Sequence, residues 1–193
     1  MNTIKYQDLP EERKEQERQK YREHGLDYDW WEGVYNDAKE TAEEFGLCIE
    51  DINFSGFWSQ GDGVCYKGGI SFEPCDESEL PEEVRGVYQT LHEVDSLMKI
   101  INREHYLYAQ ITTSGTYCHK HSMRFDFYNE GGLSNESSAV VKAREKDICE
   151  ALRDYARWIY RTLEKEYEYL TSDECIDEQL HDEEYENEQE NNG

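Results

Sequence analysis

The sequence predicts an α+β fold: an antiparallel sheet of about four strands built from two hairpins, with helices packed on one face and a long C-terminal helix. Two observations carry this. "IEDINFSGFWSQGDGVCYKGGISF" and "YLYAQITTSGTYCHKHSMRFDFYN" each alternate apolar and polar residues on both sides of a polar stretch, the pattern of two strands and a turn. The segments before, between and after them repeat apolar residues at three-to-four spacing, the pattern of helices with one buried face.

The elements follow in order. Residues 10–24 alternate Glu with Arg and Lys at i,i+4 spacing behind Pro10, which predicts a charged helix lying on the surface. A second helix starts near Asp29 as N-cap. Its stripe is Trp30 or Trp31, Val34, Ala38, Ala42 and Phe45, and Gly46 stops it. In the first hairpin Ile52, Phe54, Gly56 and Trp58 share a face, as do Val64, Tyr66, Gly68, Ile70 and Phe72. Glycines 61 and 63 in "SQGDG" are expected at positive φ.

A third helix begins at Ser78 or Pro81 and presents Val84, Val87, Leu91, Val94, Leu97, Met98 and Ile101. Gly86 inside it is expected to mark a close packing contact, because glycine costs a helix about 1 kcal/mol relative to alanine. Leu107, Ala109 and Ile111, then Met123, Phe125 and Phe127, form the second hairpin. Ser134 or Asn135 caps the longest helix, residues 136–170, with Val141, Ile148, Leu152, Tyr155, Ile159 and Leu163 on its buried side. The organisation expected is a charged helix over 1–25, one α+β domain over 26–172, and an acidic tail over 173–193 that is partly disordered. This last segment holds ten acidic residues and neither Lys nor Arg.

Composition narrows the function. The apolar fraction is 36%, below the usual range, so the 15 Tyr, 6 Phe and 4 Trp must supply much of the core. A net charge of −25 argues against direct binding of nucleic acid and of anionic membranes, both of which need Lys and Arg. It fits either simple solubility or docking on a basic partner. No window is apolar enough to span a membrane, and the first 25 residues lack the apolar core of a secretory leader. The six cysteines, without any C-x-x-C pair, are expected as free thiols in a reducing cytosol.

Two stretches invite chemistry. "FSGFWSQGDGVCYKG" has four glycines, but they run from strand to strand. A phosphate loop runs from strand to helix, and a calcium loop needs more oxygens and a closing Glu. Its glycines are explained by turn geometry. Trp58 belongs either to the core or to a contact surface. "YCHKH" places His119 and His121 on one side of an extended segment, two metal ligands where three or four are needed. Asp62, Cys65 or Asp126 could complete such a site, but a polar connecting loop explains the pair more simply. A Cys118 or Cys65 nucleophile with His119, His121 or His92 is specified by no spacing. No catalytic residue, metal or cofactor is assigned.

"DINFSGFWSQGDG" (51–63) and "WIYRTLEKEYEYLTSDE" (158–174) resemble segments of a family of small acidic phage-encoded proteins of unestablished activity, some described as antitoxin-like. The similarity runs from about Trp30 to Glu186. It implies a phage accessory protein in the host bacterial cytoplasm. Such a protein would bind a host protein with a basic surface and inhibit or redirect it, in the concrete form of an anti-defence inhibitor that mimics nucleic acid. Phe57, Trp58, Gln60 and Asp62 would make the short-range contact, and Asp173, Glu174 and Asp177 would steer. Two other readings stay open. One is a nucleotide-like ligand, bound or hydrolysed between the hairpins by Trp58, Gln60, Asp62, His119 and His121. The other is the antitoxin of a toxin pair.

Overall fold

The computed structural model describes residues 3–26, 28–101, 107–115, 117–128 and 135–186. Its elements are β1 (Thr3–Lys5), α1 (Glu11–His24), α2 (Glu32–Glu43), β2 (Leu47–Phe54), β3 (Val64–Ser71), α3 (Glu82–Ile101), β4 (Tyr108–Thr113), β5 (Met123–Phe127), α4 (Asn135–Leu170), α5 (Asp173–Leu180) and β6 (Glu184–Glu186). They form two compact units, Met1–Trp31 with Glu164–Gly193, and Glu32–Leu163. The Ser134 cap and the last seven residues of the acidic tail lie outside the described residues.

The larger unit carries the predicted α+β fold. Its sheet has the order β2-β3-β4-β5 and is antiparallel throughout. Period-two alternation puts Leu47, Ile49, Ile52, Tyr66, Ile70, Ala109, Ile111 and Met123 on one buried face. Cys48, Lys67, Thr112, Arg124 and Asp126 stand exposed on the other. An irregularity between Ile49 and Asp51 inserts Glu50 without reversing the faces.

The helices cover the apolar face through aromatic side chains. Tyr66 donates its hydroxyl to the Leu152 carbonyl of α4 at 2.8 Å, and Tyr155 donates to the Ala38 carbonyl of α2 at 2.6 Å. Their rings meet edge to face at 6.1 Å, and Phe45 meets Tyr155 at 5.8 Å. Each buried hydroxyl thus has an acceptor, which lets tyrosine replace aliphatic residues in a core short of them. Burial pushes both phenols well above their ordinary range, so both keep the proton they donate.

Two expectations about glycine need correction. Gly61 has φ +101 as expected, but Gly63 has no positive φ. A Cβ there would lie 3.0 Å from the Cys118 carbonyl oxygen and 3.0 Å from the His119 ring, so close approach is what requires glycine. Gly86 makes no close contact: a Cβ there would have nothing within 4 Å. Gly86→Ala is therefore expected to stabilise the protein by about 0.5–1 kcal/mol through helix propensity alone. Urea denaturation reads this, and a lower midpoint would mean that α3 packs more tightly at this point.

The smaller unit joins the chain's two ends. β1 and β6 pair antiparallel, Ile4 opposite Tyr185. Tyr6, Leu9, Ile176 and Leu180 form a small core with Ile4, Tyr21 and Tyr185 packed against it. Ser172 caps α5 by accepting from the Cys175 amide at 3.2 Å. The charged N-terminal helix and the first half of the acidic tail, separate in the sequence, share this unit. Trp30 belongs here too, its ring 5.5 Å from Tyr167.

Candidate functional site

β2 stops at Phe54, so Gly56 and Trp58, expected to continue the strand's alternation, lie in the connecting loop 55–63. The loop is pinned in three ways. The Ser55 amide donates to the Gly63 carbonyl at 3.3 Å. The Asp62 carboxylate accepts from the Ser59 amide at 2.7 Å, while the Asp62 amide donates to the Ser59 carbonyl at 3.0 Å. The Phe57 ring lies 4.8 Å from Phe54 and 5.6 Å from Tyr160 of α4, whose hydroxyl donates to the Phe57 carbonyl at 3.4 Å.

This sorts the four tip residues expected to make contacts. Phe57 is half-buried and anchors the loop. Asp62 holds the turn. Trp58 is 79% exposed, its ring edge on Phe57 at 5.7 Å, and Gln60 is exposed beside it. Trp58 is thus presented to solvent on a braced loop instead of joining the core.

The "YCHKH" segment packs under this tip. Residues 120–122 make a 3₁₀ turn against β3. His119 Nδ1 accepts from the His121 amide at 3.2 Å, which leaves the proton on Nε2 of the neutral ring. Burial first, then His121 and Lys120, hold the His119 pKa below its ordinary value. The two imidazoles lie 4.9 Å apart, but among the described residues no three of His, Cys, Asp and Glu are grouped as metal ligands. Cys65 lies near Cys118, Ser122 and His119. Burial pushes its thiol pKa up, the reverse of what an activated nucleophile needs.

A cavity of about 230 Å³ opens between the tip, this segment and α4. Asp62, Gly63, Val64, His119, Lys120, Ala156, Arg157 and Tyr160 line it. Of the ligand-site residues expected between the hairpins, it brings together Asp62 and His119; Trp58, Gln60 and His121 do not line it. Sequence reasoning missed Lys120, Arg157 and Tyr160. The signal available was the i,i+3 spacing of Arg157 and Tyr160 on one face of α4.

The acidic residues expected to steer a partner belong to the other unit, and two of them are engaged. Asp173 pairs with Arg22. Asp177 accepts from Arg18 Nε and Nη2, each at 2.7 Å, and from the Tyr6 hydroxyl. Glu174 is exposed. Compensation of Asp173 and Asp177 by arginine removes much of their long-range field.

Comparison with known families adds one assignment. A family model described as "Domain of unknown function (DUF8835)" matches residues 30–173. The chain belongs to the DUF8835 family. No curated protein and no solved structure matches it. The DUF8835 region holds the sheet, the tip and the cavity. α1, the β1–β6 ribbon and all of α5 except Asp173 fall outside it.

Proposed function

We propose that this protein is a binding protein without catalytic activity that docks on a basic surface of another protein through the tip at Trp58. In its concrete form it is a phage accessory protein that inhibits or redirects a host protein of the bacterial cytoplasm by occupying a nucleic-acid-binding surface. The observation that carries the reading is Trp58, 79% exposed on a loop already braced by Phe57 and Tyr160. A large aromatic held in its binding position loses little entropy on association, the property of an interface anchor. The net charge of −25 selects a basic partner and speeds encounter. Among the described residues no helix is long and apolar enough to cross a membrane.

The test is capture of the partner from a bacterial lysate, followed by titration of the purified pair. Trp58→Ala is expected to weaken binding by about 2 kcal/mol or more, roughly thirtyfold. Raising salt to about 0.5 M, where screening reaches only a few ångströms, is expected to weaken it further. A partner held equally by the variant and at both salt concentrations would sink the proposal.

A further inference from the structure

We propose that the cavity beneath the tip is a binding site for the phosphate group of a compact small molecule, held by Lys120, Arg157 and His119. The two cations line one cavity in a chain of net charge −25. The Lys120 side chain is only 15% exposed. Among the described residues its ammonium has one ion pair, with Glu150 at 3.9 Å, beyond hydrogen-bonding distance. Its stem is packed away while, among the described residues, none accepts from its ammonium at hydrogen-bonding distance, so its donors are available to an anionic oxygen in the cavity.

Arg157 supplies the second charge. Its Nη1 forms an ion pair with Asp154 at 2.5 Å, and its Nη2 lies 3.8 Å from the same Glu150 oxygen that Lys120 faces. Glu150 and Asp154 therefore offset part of the cationic charge, but Glu150 is within hydrogen-bonding reach of neither cation. Asp62, the one acid lining the cavity, already accepts from the Ser59 amide. His119 adds a neutral donor, because its Nδ1 accepts a backbone N–H and its proton sits on Nε2.

These three side chains come from two elements, and together they offer more donors than one carboxylate can accept. Phosphate, with three or more acceptor oxygens, matches them better. Val64, Ala156 and the Tyr160 ring give the site an apolar side for the rest of the ligand. At about 230 Å³ the cavity lies below the range of drug-sized sites, so the ligand is small. The negative field of the whole chain opposes approach of an anion, which places the affinity in the millimolar to high-micromolar range.

The experiment is an amide NMR titration of the full chain with inorganic phosphate at constant ionic strength, with acetate as the second arm. Saturable shifts are expected at Gly63, His119 and Lys120. Lys120→Met and Arg157→Gln, each checked for an intact spectrum, should each weaken binding about tenfold or more, the effect of one charge-assisted hydrogen bond. Arg144→Gln, a cation on α4 outside the cavity, should leave it unchanged. Absence of saturable shifts in the parent chain overturns the proposal. So does equal affinity for acetate and phosphate, or affinity unchanged in both cavity variants.

Discussion

Gly46→Ala is expected to lower the unfolding free energy by about 2–5 kcal/mol, a large part of the 5–15 kcal/mol that a domain has. Gly46 sits between α2 and β2 at φ +77. Its amide donates to the Glu43 carbonyl at 3.0 Å, closing the helix, and its carbonyl accepts from the Ser71 amide at 2.9 Å, starting the ladder. An alanine Cβ would stand 1.9 Å from the Ser71 carbonyl oxygen. Two costs add. A non-glycine residue in the left-handed region costs about 1–2 kcal/mol. Relieving an overlap with backbone, which cannot rotate away as a side chain can, costs about 1–3 kcal/mol more. Urea denaturation of the two proteins measures the sum. A midpoint shift no larger than that of an ordinary surface substitution would show that the Ser71 carbonyl does not press on this residue.

Gly46 also shows what was legible in the sequence. Its role as the stop of α2 follows from local pattern, because a helix C-terminus announces itself within a few residues. The buried faces of β3, β4 and α4 were legible for the same reason, since alternation and three-to-four spacing are local properties; of β2 only Ile52 and Phe54 were read, because the irregularity after Ile49 breaks the alternation that leads back to Leu47. The tip was not. Phe57 turns inward because Phe54 and Tyr160 flank it, and Tyr160 lies on a helix whose distance from the hairpin no local pattern encodes. The cavity was hidden likewise. Lys120 reads as one charge in a polar loop, and Arg157 as one charge on a solvated helix face, until the fold sets them beside Gly63. The predicted positive φ at Gly63 failed for a related reason. What excludes a side chain there is the Cys118 carbonyl from another hairpin.

The terminal unit supplies the second large effect. Arg18→Met is expected to cost about 1–3 kcal/mol of local stability, because the partly exposed Asp177 and the exposed Glu11 and Glu15 lose their charge-assisted hydrogen bonds to the buried guanidinium. Arg18 is only 7% exposed. It grips Asp177 with two nitrogens across 159 positions, and its remaining nitrogen reaches Glu11 at 2.7 Å and Glu15 at 3.2 Å. The Tyr6 hydroxyl donates to the same Asp177 carboxylate at 2.5 Å. With four buried apolar residues at its centre, the unit has little hydrophobic reserve to absorb this loss. Hydrogen exchange should therefore rise across residues 3–24 and 173–186 while the β2–β5 sheet keeps its protection. The double variant Arg18→Met with Asp177→Leu should recover part of the loss, because it removes both charges together.

The same network fixes a pH dependence and its sign. Arg18, then Tyr6, hold the Asp177 pKa below its ordinary value. A carboxyl group with a depressed folded pKa contributes stability that is present above its unfolded value of about 3.9 and is lost as pH falls through the folded value. Protection of the terminal unit should therefore decline below about pH 4 in the parent chain, and this component should be missing in Arg18→Met. Acidification also relieves the mutual repulsion of a chain at −25, an effect that favours compactness everywhere. The two contributions have opposite signs, so exchange resolved by residue separates them where a global melting curve cannot. Equal acid sensitivity of residues 3–24 in the parent and the variant would rule out Asp177 as the group responsible.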